Sequence, residues 1–350
     1  MTRIDESKVA LPEREEEKLR EAQASAVTKL LDPERRPPNV NGLAVGVKWT
    51  GGQPTGKPAL VTLVTEKVPE EDLSRNERVP KTIDGVTTDV LAIGEPIAGG
   101  GTFVGGGPET LARRLRPAEG GYSVGHHAIT AGTIGTCVYD ILPGGGVSPP
   151  THGVGIPPRY YILSNNHVLA NINAALVGDA ILQPGPFDGG TDPADRIAQL
   201  SRFIPITLDP PTPRASHRNR VDAAVAQAEF HDIDREIYWV GYVRGWRPRA
   251  NVTVGTIVQK TGRTTNYTLG RITGVNATVD INYGGGRVGR FLDQILTTPM
   301  SAGGDSGSLV TTTDEVAVGL LFAGSSQVTI LNQIERVRSL LRVEVAEKIL

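Results

Sequence analysis

Three short segments carry residue types that together can perform nucleophilic catalysis. They are His167 in Ser164-Asn165-Asn166-His167, Asp222 in Val221-Asp222-Ala223-Ala224-Val225, and Ser306 in Gly304-Asp305-Ser306-Gly307-Ser308. A serine hydroxyl is a poor nucleophile at neutral pH and needs a base beside it to take its proton. A neutral imidazole suits that role, because its unperturbed pKa lies at about 6.5. A carboxylate on the other ring nitrogen fixes the tautomer and stabilises the imidazolium that forms. The glycines around the serine have a separate use. Gly303, Gly304 and Gly307 lack a Cβ and can take backbone angles closed to other residues. The loop can then turn sharply and aim the amides of Gly304 and Ser306 at one point, where an oxyanion would develop. One such donor is worth roughly 100- to 1000-fold in rate.

The carboxylate has rivals, since Asp209, Asp232 and Asp234 also lie between His167 and Ser306. Asp222 leads because Val221, Ala223 and Val225 alternate at strand period. In such a half-buried strand an unpaired carboxylate is costly. The other three sit in Pro-rich or charge-rich stretches that read as solvated. His126 and His127 are adjacent, so a strand would send them to opposite faces. No Cys, His or carboxylate at zinc spacing accompanies them, and they read as surface or structural residues. No metal or cofactor is expected.

These residues need a scaffold, and composition suggests its kind. The chain has 350 residues, 39% of them hydrophobic, enough for a large core and two or three structural units. With 42 Gly and 25 Pro, turn-forming residues make up roughly a fifth of the chain, below the range of low-complexity disorder. Many short strands joined by such turns suit barrels. A net charge of −2 leaves no nucleic-acid footprint, and no apolar run is long enough for a transmembrane helix. Cys137 is the single cysteine, in the apolar strand pattern Thr136-Cys137-Val138-Tyr139, so no intrachain disulfide can form and it reads as a core residue. With an amino terminus lacking the basic and apolar regions of a signal peptide, this points to a reducing, cytoplasmic setting.

Four segments are expected along the chain. Residues 1–38 hold a charged helix over 11–31, ended by Asp32-Pro33 and Pro37-Pro38. Residues 39–95 read as a small α+β accessory unit. Its strands run through Leu43, Val45, Val47 and Trp49 and through Ala59, Val61, Leu63 and Val64, across a Gly51-Gly52 turn. A helical turn is expected at Glu70-Glu71-Asp72-Leu73, and another strand from Val86 after Asp84-Gly85. Residues 96–121, with Gly99-Gly100-Gly101 and Gly105-Gly106-Gly107, read as a flexible linker. Residues 122–350 form the catalytic part. Within it, Ile334, Val337, Leu340 and Leu341 have helical spacing, and residues 343–350 either extend that helix or reach a neighbouring subunit. A homo-oligomer through the terminal segments is one outcome of this layout.

The ordered His, Asp and Ser motifs resemble the trypsin/chymotrypsin-like serine protease family over about residues 122–342. Gly262-Arg263-Thr264-Thr265-Asn266-Tyr267-Thr268-Leu269-Gly270 and Val275-Asn276-Ala277-Thr278-Val279 resemble the second barrel of bacterial streptogrisin-like proteases. Leu163-Ser164-Asn165-Asn166-His167-Val168-Leu169, Gln183-Pro184-Gly185-Pro186 and Asn219-Arg220-Val221-Asp222 are similar to the bacterial relatives of plant Narrow Leaf proteases. The family pattern Gly-Asp-Ser-Gly-Gly ends here in Ser308.

The resemblance implies a mainly β fold of two six-stranded antiparallel barrels with a C-terminal helix. His167 and Asp222 would sit on the first barrel and Ser306 on the second. It implies a serine endopeptidase acting on protein or peptide substrates through an acyl-enzyme. It also implies that Met300 lies at the bottom of the pocket for the side chain before the cut. Phe322 and Gly324 would belong to the strand that binds substrate backbone, with Gly324 leaving the pocket mouth open. With Met300 in place of a carboxylate, an apolar side chain is expected at the cut. A binding or scaffold module that has lost turnover, and a non-proteolytic acyl hydrolase, are the competing readings.

Overall fold

Strands dominate the chain, and hydrogen bonding groups most of them into two large sheets that each curl into a barrel. The structure is a computed structural model that describes residues 5–32, 36–51, 53–100, 111–141 and 159–345. In the first sheet, Thr136–Asp140, Tyr160–Ser164, Ala224–Ala228, Arg196–Phe203, Ala180–Leu182 and Ser123–His126 follow one another as antiparallel neighbours. The Gly132–Thr133 strand and a bond from the Ile134 N–H to the Tyr122 carbonyl bring the sheet back on itself. The period-2 rule then sorts the side chains. Cys137, Ile162, Ile181 and Ala226 fill the barrel interior. Val138, Tyr161, Leu163 and Val225 point outward, yet they are buried too, against Leu320 of the second barrel and Ile334 and Val337 of the C-terminal helix.

The second barrel closes fully. Ile257–Gly262, Asn266–Asn282, Val288–Thr297, Thr329–Gln333, Val316–Gly324 and Leu309–Thr312 pair in a ring, and Leu309–Thr312 returns to Ile257–Gly262. The helix Ile334–Leu341 follows and ends at Arg342 in left-handed conformation (φ 55°). Val343–Val345 then pairs with Thr136–Asp140, so this part of the carboxyl end neither lengthens the helix nor leaves the body of the chain. Residues 346–350 lie outside the described residues.

The amino-terminal elements form as expected, but not as a separate body. The helix spans Glu13–Leu30, and the strands are Val40–Thr50, Gln53–Val64 and Val86–Ala92, with a short helical turn at Glu70–Asp72. The 17-residue strand Asn266–Asn282 outruns the barrel, and an exposed edge of N–H and C=O groups needs partners. Val40–Thr50 supplies them, pairing Gly42 with Val279, Leu43 with Thr278 and Val45 with Val275. The helix lays Leu19, Ala22, Ala26 and Leu30, spaced at three and four residues, against this extended sheet. Gln23 anchors it by donating to the carbonyls of Leu43 (3.3 Å) and Asn276 (2.6 Å).

The stretch expected as a linker differs as well. Residues 101–110, with the second glycine run, lie outside the described residues. The rest is built into the fold. Ile97–Ala98 joins the second-barrel sheet, the Leu111 N–H bonds the Arg263 carbonyl, and Ala118–Gly120 pairs with Ile233–Ile237. Among the described residues, no helix is long and apolar enough to cross a membrane.

Candidate active site

Each barrel delivers part of one site. Strand Tyr160–Ser164 ends at Asn165, and the one-turn helix Asn166–Leu169 swings His167 to the barrel rim. Asn165 ties this corner to the next strand by donating to the Asp222 carbonyl (2.7 Å). Asp222 sits just before Ala224–Ala228, with Val221, Ala223, Ala224 and Val225 all buried. That strand is therefore buried on both faces rather than half-exposed.

Asp222 is fully buried, and its charge is met by directed donors. Its Oδ1 accepts the His167 backbone N–H (3.1 Å), and its Oδ2 lies 2.6 Å from His167 Nδ1. A hydroxyl from the second barrel, Tyr283 Oη, also donates to Oδ2 (2.7 Å). Its own backbone N–H is held by Asn332 Oδ1 (3.0 Å), which Gln294 orients in turn. With an ionised Asp222 at Nδ1, the proton resides there and Nε2 presents a lone pair. Nε2 has no hydrogen-bond partner among the described residues. Of the rival aspartates, Asp209 pairs with Arg214 (2.8 Å), and Asp232 and Asp234 lie at the Phe230–Asp232 turn and in the Ile233–Ile237 strand.

Ser306 lies on the loop entering Leu309–Thr312. Gly304 and Gly307 on either side have φ of 98° and 97°, the left-handed region that favours glycine. Space forbids a side chain there too, since a Cβ on Gly307 would stand 2.1 Å from Ser164 Oγ and one on Gly304 2.4 Å from Thr264 Oγ1. Among the described residues, neither the Gly304 nor the Ser306 N–H has a hydrogen-bond acceptor. Ser306 Oγ donates to the Phe322 carbonyl (3.3 Å) rather than to His167. The two reactive atoms nevertheless flank one point, as a Cβ on Gly99 would be 3.7 Å from His167 Nε2 and 3.8 Å from Ser306 Oγ.

The loop is held from behind by a buried ion pair. Asp305 Oδ1 accepts the N–H groups of Thr264 (2.8 Å) and Thr265 (3.1 Å). Its Oδ2 accepts the Ala302 N–H (3.0 Å) and the Thr265 hydroxyl (2.6 Å), and lies 3.3 Å from Lys260 Nζ. Both side chains of the pair are 0% exposed. Burial pulls the Lys260 ammonium below the usual lysine range, and Asp305 opposes that pull. Ser308, where the family pattern has glycine, donates to the Asp305 carbonyl (2.7 Å) and closes the turn.

Met300 is fully buried in the second-barrel core with Val258, Ile272 and Val310, against Gly270, and only its backbone engages Thr329 and Thr268. The next residue, Ser301, is buried as well. Ser301 Oγ bonds Thr329 Oγ1 (2.8 Å) and would lie 3.4 Å from a Cβ on Gly324. Phe322 turns its ring into the core beside Phe291 (4.9 Å) and presents its carbonyl to the site. His126 is structural, buried beside Asp179 (3.0 Å).

Tyr283 and Lys260 were not foreseen. Tyr283 follows a strand and precedes Gly284-Gly285-Gly286, which reads as a turn. Lys260 did carry a signal, as a lone cation within the strand Ile257–Gly262.

Two joined six-stranded barrels, with a His–Asp pair on one and a Gly-Asp-Ser-Gly loop on the other, define the chymotrypsin-type double β-barrel. Comparison by sequence agrees. The chain is 40% identical over 94 residues to serine protease 2 of Streptomyces fradiae, covering 27% of this chain and 45% of that protein. It is 50% identical over 58 residues to glutamyl endopeptidase 2 of Streptomyces griseus, covering 17% and 28%. The chain thus spans less than half the length of these relatives. No family model matches it. Among solved structures, Thermobifida fusca protease A aligns over 66% of this chain and 98% of its own at 16% identity, with a TM-score of 0.43. A glutamic-acid-specific serine protease aligns over 65% and 100% at 20% identity, with a TM-score of 0.42.

Proposed function

We propose that the protein is a serine endopeptidase. The observation that carries this reading is the 2.6 Å contact between His167 Nδ1 and the buried Asp222, which leaves Nε2 free as a base beside Ser306. In this mechanism Ser306 Oγ rotates from the Phe322 carbonyl to His167 Nε2. It loses its proton to that nitrogen as it bonds to the scissile carbonyl carbon. The carbonyl oxygen takes the negative charge and accepts the Gly304 and Ser306 N–H groups. Collapse breaks the C–N bond, and the imidazolium returns its proton to the departing amine. Water, deprotonated by the same ring, then hydrolyses the acyl-enzyme. A fluorophosphonate probe that labels Ser306 in the native chain but not in His167→Ala tests the reading. Peptide and short ester substrates assayed side by side separate an endopeptidase from an acyl hydrolase. Failure to label would favour a binding module.

The cut-site residue is proposed to be small or medium and apolar. Ser301 and Thr329 satisfy each other, so a bare substrate cation entering there would be desolvated without a carboxylate partner. A second reading, an acidic residue at the cut, is favoured by the relative named glutamyl endopeptidase 2. A peptide library scored at that position decides between them. We also propose a reducing, cytoplasmic setting, on the support of a single cysteine that is buried and whose thiol burial pushes upward. Fractionation of the source cells tests it.

A further inference from the structure

The groove beside Ser306 is already filled by the chain itself. Ile97–Ala98 pairs antiparallel with the end of Val316–Gly324, with Ala98 opposite Ala323 and Ile97 opposite Gly324. Gly99 continues the ladder by donating its N–H to the Phe322 carbonyl (3.1 Å). On its other side the segment is fastened by the Asn282 N–H, which donates to the Pro96 carbonyl (3.0 Å). An extended peptide that adds to a strand edge needs these same backbone groups. Residues 97–99 therefore stand where the three residues before a cut would bind, with Gly99 nearest the reactive pair. Its carbonyl would be 3.1 Å from a Cβ on Gly303. Ala98 also narrows the adjoining cleft, which it lines with Ile129, Thr130, His167, Ile172 and Tyr283.

The segment does not continue as a substrate would. Gly99 has φ 70°, and the Gly100 N–H returns to the Ile97 carbonyl (2.8 Å), a tight turn that reverses the chain. Gly100 folds back against Gly324, so within the described residues the segment leaves the extended path at Gly99. Ser306 Oγ meanwhile bonds the Phe322 carbonyl, the group that also receives the Gly99 N–H. We propose that residues 97–100 are a built-in competitive inhibitor: a strand that fills the substrate's acyl-side groove and escapes cleavage because its glycine turn withholds a scissile bond. This rests on the endopeptidase reading and adds regulation to it.

Binding of a fluorescent extended peptide, with alanine before the intended cut, to the full chain in a Ser306→Ala background tests this without turnover. Gly99→Pro removes the N–H given to Phe322 and cannot adopt φ 70°. Gly99→Ala keeps the N–H and is strained only by φ. The expected result is a Kd at least tenfold lower for Gly99→Pro and lowered by a smaller factor for Gly99→Ala. Should Gly99→Pro melt below the assay temperature, the Gly99→Ala shift carries the test. A measurable but equal Kd in the parent and variants overturns the inhibitor and leaves the endopeptidase reading standing. No binding in any of them, joined to no fluorophosphonate labelling of Ser306 in the native chain, overturns both.

Discussion

Tyr283 Oη and His167 Nδ1 meet on one oxygen, Asp222 Oδ2, at 2.7 and 2.6 Å. The tyrosine belongs to the second barrel and the other two residues to the first, so this hydroxyl joins the barrels at the site. Its ring stands edge-on to His167 at 6.3 Å and stacks on Phe291 at 6.1 Å. It therefore holds in place the carboxylate that holds His167.

Tyr283→Phe keeps the ring contacts and removes one hydrogen bond to a charged acceptor, worth about 1.5–3 kcal/mol. If part of that acts on the geometry of the pair, kcat falls roughly tenfold while KM stays put. A merely structural tyrosine would lower the melting temperature and leave kcat per folded molecule unchanged, so both are measured.

The same residue predicts alkaline behaviour. Burial, and then the Asp222 charge, raise the Tyr283 hydroxyl well above its ordinary 10.0. The folded state thus keeps a proton that the unfolded chain releases above that pH. Stability from this group is complete below pH 10 and is lost as pH rises beyond it. Denaturant midpoints from pH 8 to 11 should fall more steeply for the native chain than for Tyr283→Phe. Parallel curves would contradict this.

Lys260→Met leaves Asp305 buried with a charge and no cation. Breaking a buried pair in this way costs about 3–5 kcal/mol. The melting temperature should drop and the Ser306 loop should loosen, with slower fluorophosphonate labelling at temperatures where the protein is still folded. Unchanged stability would mean that the backbone donors at Thr264, Thr265 and Ala302 satisfy Asp305 unaided.

Met300→Asp should not create a preference for basic residues. The side chain lies in the barrel core, so the substitution buries an unpaired carboxylate and destabilises the fold. A stable variant that cleaves after Lys or Arg would show that the side chain reaches the pocket.

What was legible in the sequence was chemistry written locally. His167, Asp222 and Ser306 each lie in a motif whose neighbours explain them, and the alternation of Leu43, Val45, Val47 and Trp49 reads directly as strand. What was not legible depends on contacts distant in sequence. Tyr283 gains its meaning only from Asp222, 61 positions away. The glycine run beginning at Gly99 looks like a linker because glycine frees the backbone, and the same freedom lets it turn tightly over the site. The amino-terminal strands look self-contained until the length of Asn266–Asn282 leaves an edge for them. Met300 was expected at the pocket floor by counting back from Ser306, whereas its burial among Val258, Ile272 and Val310 comes from contacts that such a count does not reveal.

In the proposed mechanism Asp222 holds His167 as the base for Ser306. It is tested most directly by kcat/KM on a peptide with an apolar cut-site residue, for the native chain, Ser306→Ala and Asp222→Asn. Ser306→Ala should show no measurable turnover and Asp222→Asn a loss of roughly 10,000-fold, because the imidazole takes the wrong tautomer. Native-like turnover in Asp222→Asn, or any retained by Ser306→Ala, would contradict it.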